Sequence, residues 1–230
     1  MNIIIIGSAS GIGSALIADL MGTSNLLLSH HKSGVKLPIE SHSVNASNFD
    51  EVSSFIKKGL ADLGSIDAVV CLPGSLILKS PHRCSEEDFY HTIDTNLKSA
   101  FSVVRASGDY LENCSVVLMS TAAAGIGLAN HELIVSAKAG VESLARSAAK
   151  TYARKNLRFN TISPGMVQTP LTNNILKNDI VRKASEKMHV LNRIGKPKDI
   201  SNMIKFLINP ENDWITGQNF IVDGGLSSTK

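Results

Sequence analysis

Gly7, Gly11 and Gly13 lie between a run of four isoleucines at residues 3–6 and a stretch of helical pattern over residues 13–21. A continuous β-branched run of that kind forms a strand buried on both faces of a parallel sheet. In such a strand–loop–helix, one glycine permits the tight turn, one lets the backbone approach a pyrophosphate, and one lets helix and strand pack closely. The N-terminus of the helix then offers free N–H groups and the positive end of its dipole to the phosphates, through Ser10, Gly11, Ile12 and Gly13. The spacing is G-x3-G-x-G rather than the commoner G-x-G-x-x-G. A glycine triplet alone also fits an ordinary strand–helix turn. Its position directly after a buried strand favours dinucleotide binding.

The second chemical signal is a missing carboxylate. An acidic residue at the end of the second strand accepts hydrogen bonds from the adenosine ribose and favours NAD(H). Here that strand ends Leu28-Ser29-His30-His31-Lys32. No carboxylate there would repel a 2′-phosphate, and three basic groups follow, so NADP(H) is favoured over NAD(H). The alternative is that His30 and His31 are solvated loop residues. Cys71, Cys84 and Cys114 are odd in number and lack metal-ligand spacing, so reduced thiols and no metal site are expected. Cys71 reads as a small buried hydrophobe rather than a nucleophile.

These residues need a scaffold, and the rest of the chain supplies one. Strand patterns at residues 25–29, 68–72, 115–119, 157–162 and 219–222 alternate with helical patterns at 49–63, 87–107, 132–154 and 199–207. Two shorter helical patterns lie within 171–190. Val52, Phe55, Ile56, Leu60 and Leu63 share one helix face. Alternation from end to end argues an α/β fold with a Rossmann-type, doubly wound parallel sheet. The 230 residues suit a single such domain. A composition 43% apolar and 19% charged is that of a soluble protein. A formal charge of +3 with no basic block gives no footprint for nucleic acid. No apolar run reaches membrane-spanning length. Met1 leads straight into a strand, so no signal peptide is expected and a cytoplasmic location is.

The glycine loop resembles that of the short-chain dehydrogenase/reductase family, with Ile6 where a threonine is usual. Residues 67–74 (DAVVCLPG) are similar to that family's D-x-L-V-N-N-A-G strand, ending in Pro73-Gly74 but with Cys71 and Leu72 for the two asparagines. Asn96-Leu97 looks like the N-L of the family's long interface helix. Residues 160–171 (NTISPGMVQTPL) resemble the P-G loop over the nicotinamide, with Pro164, Gly165, Val167 and Thr169. Arg193, Gly195, Pro197, Asp199, Ile215-Thr216-Gly217 and Val222-Asp223-Gly224-Gly225 look like C-terminal markers. The resemblance implies a three-layer α/β/α fold, seven strands in the order 3-2-1-4-5-6-7, and a homodimer or homotetramer acting on a small-molecule substrate. It also sets Asn45 and Ala46 beside the adenine, and Thr169 against the carboxamide or phosphate, or else as a helix cap.

The same resemblance assigns the catalytic positions. Lys138 matches the lysine that holds the nicotinamide ribose, Asn96 the asparagine that anchors a proton-relay water, and Thr121 the serine that polarises a carbonyl, with Ser120 as second candidate. The tyrosine position is Ile134, and an alkyl group cannot transfer a proton. His131 lies seven residues before Lys138, so His131, Ile134 and Lys138 line up on a helix that begins early enough. Histidine titrates in the right range, so His131 is a candidate acid, or simply a polar residue at a helix start. The expected activity is NADP(H)-preferring oxidoreduction of a carbonyl, alcohol or activated alkene. The alternatives are a dinucleotide-binding protein with little turnover and an enoyl- or dienoyl-thioester reductase. Residues 171–190 are expected to form a substrate lid, with Lys177, Arg182, Lys183 and Lys187 facing an acidic or thioester-linked substrate or only solvent.

Overall fold

The computed structural model describes residues 1–31 and 37–229. Lys32, one of the three basic groups after the second strand, lies outside the described residues. The first strand, β1 (Asn2–Ile6), carries the isoleucine run, and Ile3 to Ile6 are all wholly buried. Alternation sends them to opposite faces of the sheet. Ile3 and Ile5 join one apolar cluster, and Ile4 and Ile6 the other. Burying an isoleucine fully stabilises by about 1.5–3 kcal/mol, so this strand anchors both layers.

Around β1 the chain builds β2 (Asn25–His30), β3 (Ser41–Ser43), β4 (Ala68–Cys71), β5 (Ser115–Met119), β6 (Arg158–Pro164) and β7 (Asn219–Val222). They form one sheet in the order β3-β2-β1-β4-β5-β6-β7, parallel throughout. Helices α2 (Phe49–Leu63), α4 (Ser99–Tyr110) and α5 (Glu132–Thr151) cover one face, and α1 (Gly11–Leu20) and α8 (Pro197–Ile208) the other. Between them in sequence come α3 (Glu86–Ile93), α6 (Asn173–Leu176) and α7 (Asp179–Met188). This is the expected seven-stranded, doubly wound α/β architecture. The strand order reverses between β1 and β4, and the crevice beyond the carboxyl ends at such a reversal is where ligands bind in open α/β sheets.

Three elements differ from the sequence reading. Strand β3, the seventh strand that the family resemblance implied, could not be located from residue patterns, because Ser41-His42-Ser43 has no apolar alternation; it exists by pairing with β2 in the register Leu28↔Ser41. The single helix read over 87–107 is two helices joined by a π-turn at Asp94–Lys98. Helix α5 stops at Thr151 rather than 154, where the backbone tightens into a 3₁₀ turn and then reverses at Asn156 (φ 53°).

Candidate active site

The loop between β1 and α1 is built from steric necessities. Gly7 has φ +78°, and a Cβ there would meet Pro73 N at 2.9 Å. A Cβ on Gly13 would run into the Ser8 carbonyl, so only glycine lets α1 start this close to the strand. The Ser8 amide and hydroxyl both donate to Ser29 O, at 2.8 and 2.7 Å. The Ser10 hydroxyl accepts from Gly13 N–H at 3.0 Å and so caps the helix. Among the described residues the N–H groups of Gly11 and Ile12 have no acceptor and stay available to an anion.

One cleft of about 930 Å³ runs from this loop along the carboxyl ends of the sheet. Of the residues singled out from sequence, Gly7, Ser10, Gly11, Ile12, His30, Asn45 and Ala46 line its one reach, and Pro73, Gly74, Asn96, Thr121, His131 and Lys138 another. Pro164, Gly165, Val167 and Thr169 line the P-G loop side. Two of the residues expected to hold the cofactor do not line it. Gly13 acts one turn into the helix by allowing close packing. Ser29 is wholly buried, its hydroxyl has no partner among the described residues, and it serves through the carbonyl that holds Ser8.

Strand β3 contributes to one end: His30 Nδ1 lies 2.9 Å from Ser41 Oγ, which orients its ring. Asn45 N–H donates to Glu51 at 2.7 Å, and Asn45 Oδ1 accepts from Ser47 N–H at 3.1 Å. At the other end Lys138 is 7% exposed, and its Nζ donates to Met119 O at 2.8 Å. Burial drives its pKa down to about 8, opposed only in part by the neighbouring Cys71. Cys71 is itself buried, and burial pushes its thiol up to about 12, so it is inert, as read from the sequence.

Asn96 sits in the π-turn, a distortion that often marks functional positions. Its amide is fully committed: Oδ1 accepts from Ser75 N–H at 3.2 Å, and Nδ2 donates to Thr92 O and Ser75 Oγ at 2.9 and 3.0 Å. Asn96 therefore fixes the loop after Pro73-Gly74. Thr121 caps the short turn that follows β5, accepting from Ala123 N–H at 3.4 Å, and keeps its own O–H for a ligand. Ser120, the second candidate, instead turns to Glu142 Oε1 at 2.7 Å. Ser163 lies 3.1 Å from the same carboxylate oxygen, and its hydroxyl has a shorter acceptor in Asn219 Oδ1 at 2.8 Å. Ile134, Lys138 and the half-exposed His131 all face the cleft from α5 or its start. His131 Nδ1 is 2.8 Å from Ala129 O, which puts the ring proton on Nδ1 and leaves Nε2 as the free nitrogen.

The segment expected to form a lid holds α6, α7 and their flanks. Thr169 does not cap α6: Thr172 is the cap residue, and Thr169 N–H donates to Thr172 Oγ1 at 3.1 Å. Lys177, Lys183 and Lys187 are solvent-exposed, while Arg182 pairs with Glu186 at 3.3 Å. His189, not anticipated from sequence, is 3% exposed at the end of the lid. Its Nδ1 donates to Ser185 O at 2.6 Å and its Nε2 accepts from Met166 N–H at 3.2 Å, pinning the P-G loop. A Cβ on Gly165 would meet that ring at 2.7 Å. Leu226 enters the cleft from the C-terminal turn, which Asp223 organises by accepting from Gly225 and Ser227. A lone histidine after a helix and a leucine near the C-terminus carry no pattern that sequence reading could use.

Comparison with known proteins agrees with this arrangement. A family model described as enoyl-(acyl carrier protein) reductase matches residues 19–227. The chain is 29% identical to 3-oxoacyl-[acyl-carrier-protein] reductase FabG of Thermotoga maritima, over 97% of this chain and 96% of that one. It is 27% identical to a tropinone reductase homolog of Arabidopsis thaliana, over 99% and 93%. The ligand-free aldohexose dehydrogenase of Thermoplasma acidophilum superposes with a TM-score of 0.92 at 25% identity, covering 100% of this chain and 95% of that one. With a family model spanning most of its length and the sheet and cleft in place, the chain belongs to the short-chain dehydrogenase/reductase family of oxidoreductases.

Proposed function

We propose that the chain uses a nicotinamide dinucleotide, NADP(H) in preference to NAD(H), to move a hydride to or from a carbonyl, alcohol or activated alkene. The observation that carries this reading is the continuity of the cleft. It joins the free N–H groups of Gly11 and Ile12 to the buried amine of Lys138. The residues fit the cofactor at each end. Those amides suit a pyrophosphate. The described residues that close β2 and follow it are His30 and His31 rather than a carboxylate, which favours the 2′-phosphate. The dinucleotide, when bound, supplies or accepts the hydride.

This chain's own side chains do the rest. Lys138 holds the nicotinamide end, Asn96 keeps the Gly74-Ser75 loop out of its way, and the free hydroxyl of Thr121 donates to the substrate oxygen. Leu76, Leu128, Ile134, Met166, Met188 and Leu226 give the substrate region an apolar wall that excludes water. That wall and the exposed lysines of the lid suit an acyl group on a thioester carrier. The names of the family model and of the Thermotoga relative support the same substrate class. The test is consumption of NADPH and NADH with ketone, 3-oxoacyl-thioester and enoyl-thioester substrates. Turnover with NADPH on at least one class is expected; no turnover with either cofactor on any class contradicts the reading.

Ile134 favours a second reading, a dinucleotide-binding protein with little turnover, because it presents an alkyl group where the family's tyrosine is expected. Ile134→Tyr separates the two. Carbonyl reduction created where the native protein shows none supports the second reading. Native activity that the change damages supports the first.

A further inference from the structure

We infer that His131 is the proton donor of the reaction, its imidazolium giving the substrate oxygen the proton that an alkyl group at position 134 cannot supply. The inference rests on the cofactor reading above and names the acid which that reading leaves open. Among the described residues, the titratable side chains that line the cleft are few, and most are engaged elsewhere. His30 and His31 stand at the end of β2, and Asp94 lies near Asn45 and Ala46, its carbonyl accepting from the Ser47 hydroxyl at 2.9 Å. Lys138 is given to the cofactor and to Met119 O. Both ring nitrogens of His189 are taken, by Ser185 O and by Met166 N–H. His91 is exposed, on α3. His131 remains, half-buried in the cleft wall with Nε2 free.

The local structure holds this ring for a ligand rather than for the helix. His131 opens α5, yet its side chain makes no cap hydrogen bond. The chain arrives through Asn130, left-handed at φ 63°. His131 N–H donates to Leu128 O at 3.3 Å, and the ring Nδ1–H donates to Ala129 O at 2.8 Å. Backbone and ring are thus both fixed by the turn before them. Leu128 and Ile134 flank the ring with apolar walls of the same cleft. Ile134 is one turn on, about 4.5 Å along the axis. Helix side chains lean towards the N-terminus, so the space over Ile134 opens on the turn that His131 occupies.

The titratable groups around it are Glu132 and Lys138 on its own helix, His91 on α3, which packs against α5, and His189 across the cleft. Glu132 is exposed, so no buried carboxylate beside the ring neutralises its charge. In the reducing direction the carbonyl carbon gains a hydride from the dihydronicotinamide cofactor, the C=O π pair moves to oxygen, and that oxygen takes the Nε2 proton. The carbonyl becomes an alcohol, the dihydronicotinamide is oxidised, and the neutral imidazole keeps its Nδ1–H on Ala129 O. Its exposed edge lets Nε2 regain a proton from water.

The test compares the native protein with His131→Ala and, for the cleft's other unengaged imidazole, His91→Ala. NADPH binding is measured first by nicotinamide fluorescence. Rates of reduction follow at saturating NADPH, with acetoacetyl-N-acetylcysteamine and ethyl acetoacetate as probes. Retained NADPH binding is expected in both variants. The His131→Ala rate should be lower by about 10²–10⁴-fold. The native rate should fall as pH rises through the range where histidine gives up its proton, and that fall should be absent from His131→Ala. Added imidazole should restore part of the His131→Ala rate in proportion to its protonated form, which a merely structural role would not allow. A His131→Ala rate within threefold of native, or a loss that is equal at every pH and that imidazole does not repair, overturns the donor role and leaves the cofactor reading standing. The same loss with the same rescue in His91→Ala overturns it as well. Native protein that binds NADPH but reduces neither probe also overturns it. Failure to bind NADPH or NADH removes the cofactor reading itself.

Discussion

Lys138→Met should make the protein more stable at neutral pH while removing its function. Methionine matches lysine in length and flexibility and carries no charge to bury. In the folded protein burial lowers the Lys138 pKa from the ordinary 10.5 to about 8. At about 1.36 kcal/mol per pH unit, keeping that amine charged costs the fold about 3 kcal/mol. The substitution also removes the hydrogen bond to Met119 O, worth about 1 kcal/mol. A net gain of about 2 kcal/mol remains, a rise in Tm of about 4–8 °C for a chain of this size. The sign fixes the pH dependence. The unfolded chain takes up the lysine proton at 10.5 and the folded one only near 8, so the cost is full below pH 8 and fades as pH rises towards 10.5. The advantage of the methionine variant should therefore be largest at pH 7 and vanish by about pH 10.5. Thermal and urea unfolding of both proteins, without cofactor, at several pH values between 6.5 and 10.5 would measure this. A methionine variant less stable than native at pH 7, or a stability difference that does not change with pH, refutes the reasoning.

Other positions give sharper tests of particular contacts. Gly13→Ala places a Cβ against the Ser8 carbonyl, so it should cost about 1–3 kcal/mol of stability by overpacking and at least tenfold in cofactor affinity, read by denaturation and by fluorescence titration. His30→Asp sets a carboxylate at the end of β2 and should reverse the preference for NADPH over NADH, read as the ratio of the two Kd values. His189→Leu leaves the Met166 N–H without its acceptor, a loss of about 1–3 kcal/mol, and should raise the substrate KM more than it lowers stability elsewhere, since the P-G loop loses its pin. Glu142→Ala takes from Ser120 its carboxylate partner, while Ser163 keeps Asn219 Oδ1 at 2.8 Å, so proteolysis should speed up at the loop after β5 before it does at β1.

The parts of the site that the sequence revealed are those built by backbone rules. The isoleucine run, the glycine loop and the Pro164-Gly165 turn are dictated by burial, sterics and missing N–H groups, and these leave a local signature. Strand β3 left none, since three polar residues become a strand only through the pairing that β2 offers. The π-turn was invisible for a related reason: one extra residue per turn hardly alters apolar periodicity, yet it positions Asn96. His189 and Leu226 reach the cleft, and Glu142 the ends of β5 and β6, from elements distant in sequence, so tertiary packing alone brings them there. Ser29 shows the converse, a residue placed correctly at the strand end whose side chain is buried under the loop rather than turned to the cleft.

The central claim is that this cleft holds a nicotinamide dinucleotide with its phosphates on the α1 N-terminus. Isothermal titration of the purified native protein and of Gly13→Ala with NADPH, and separately with NADH, tests it most directly. Saturable binding of NADPH at one site per chain, weaker binding of NADH, and loss of both in the glycine variant are expected. Absence of binding by either dinucleotide to the native protein, or binding that the variant leaves unchanged, would contradict it.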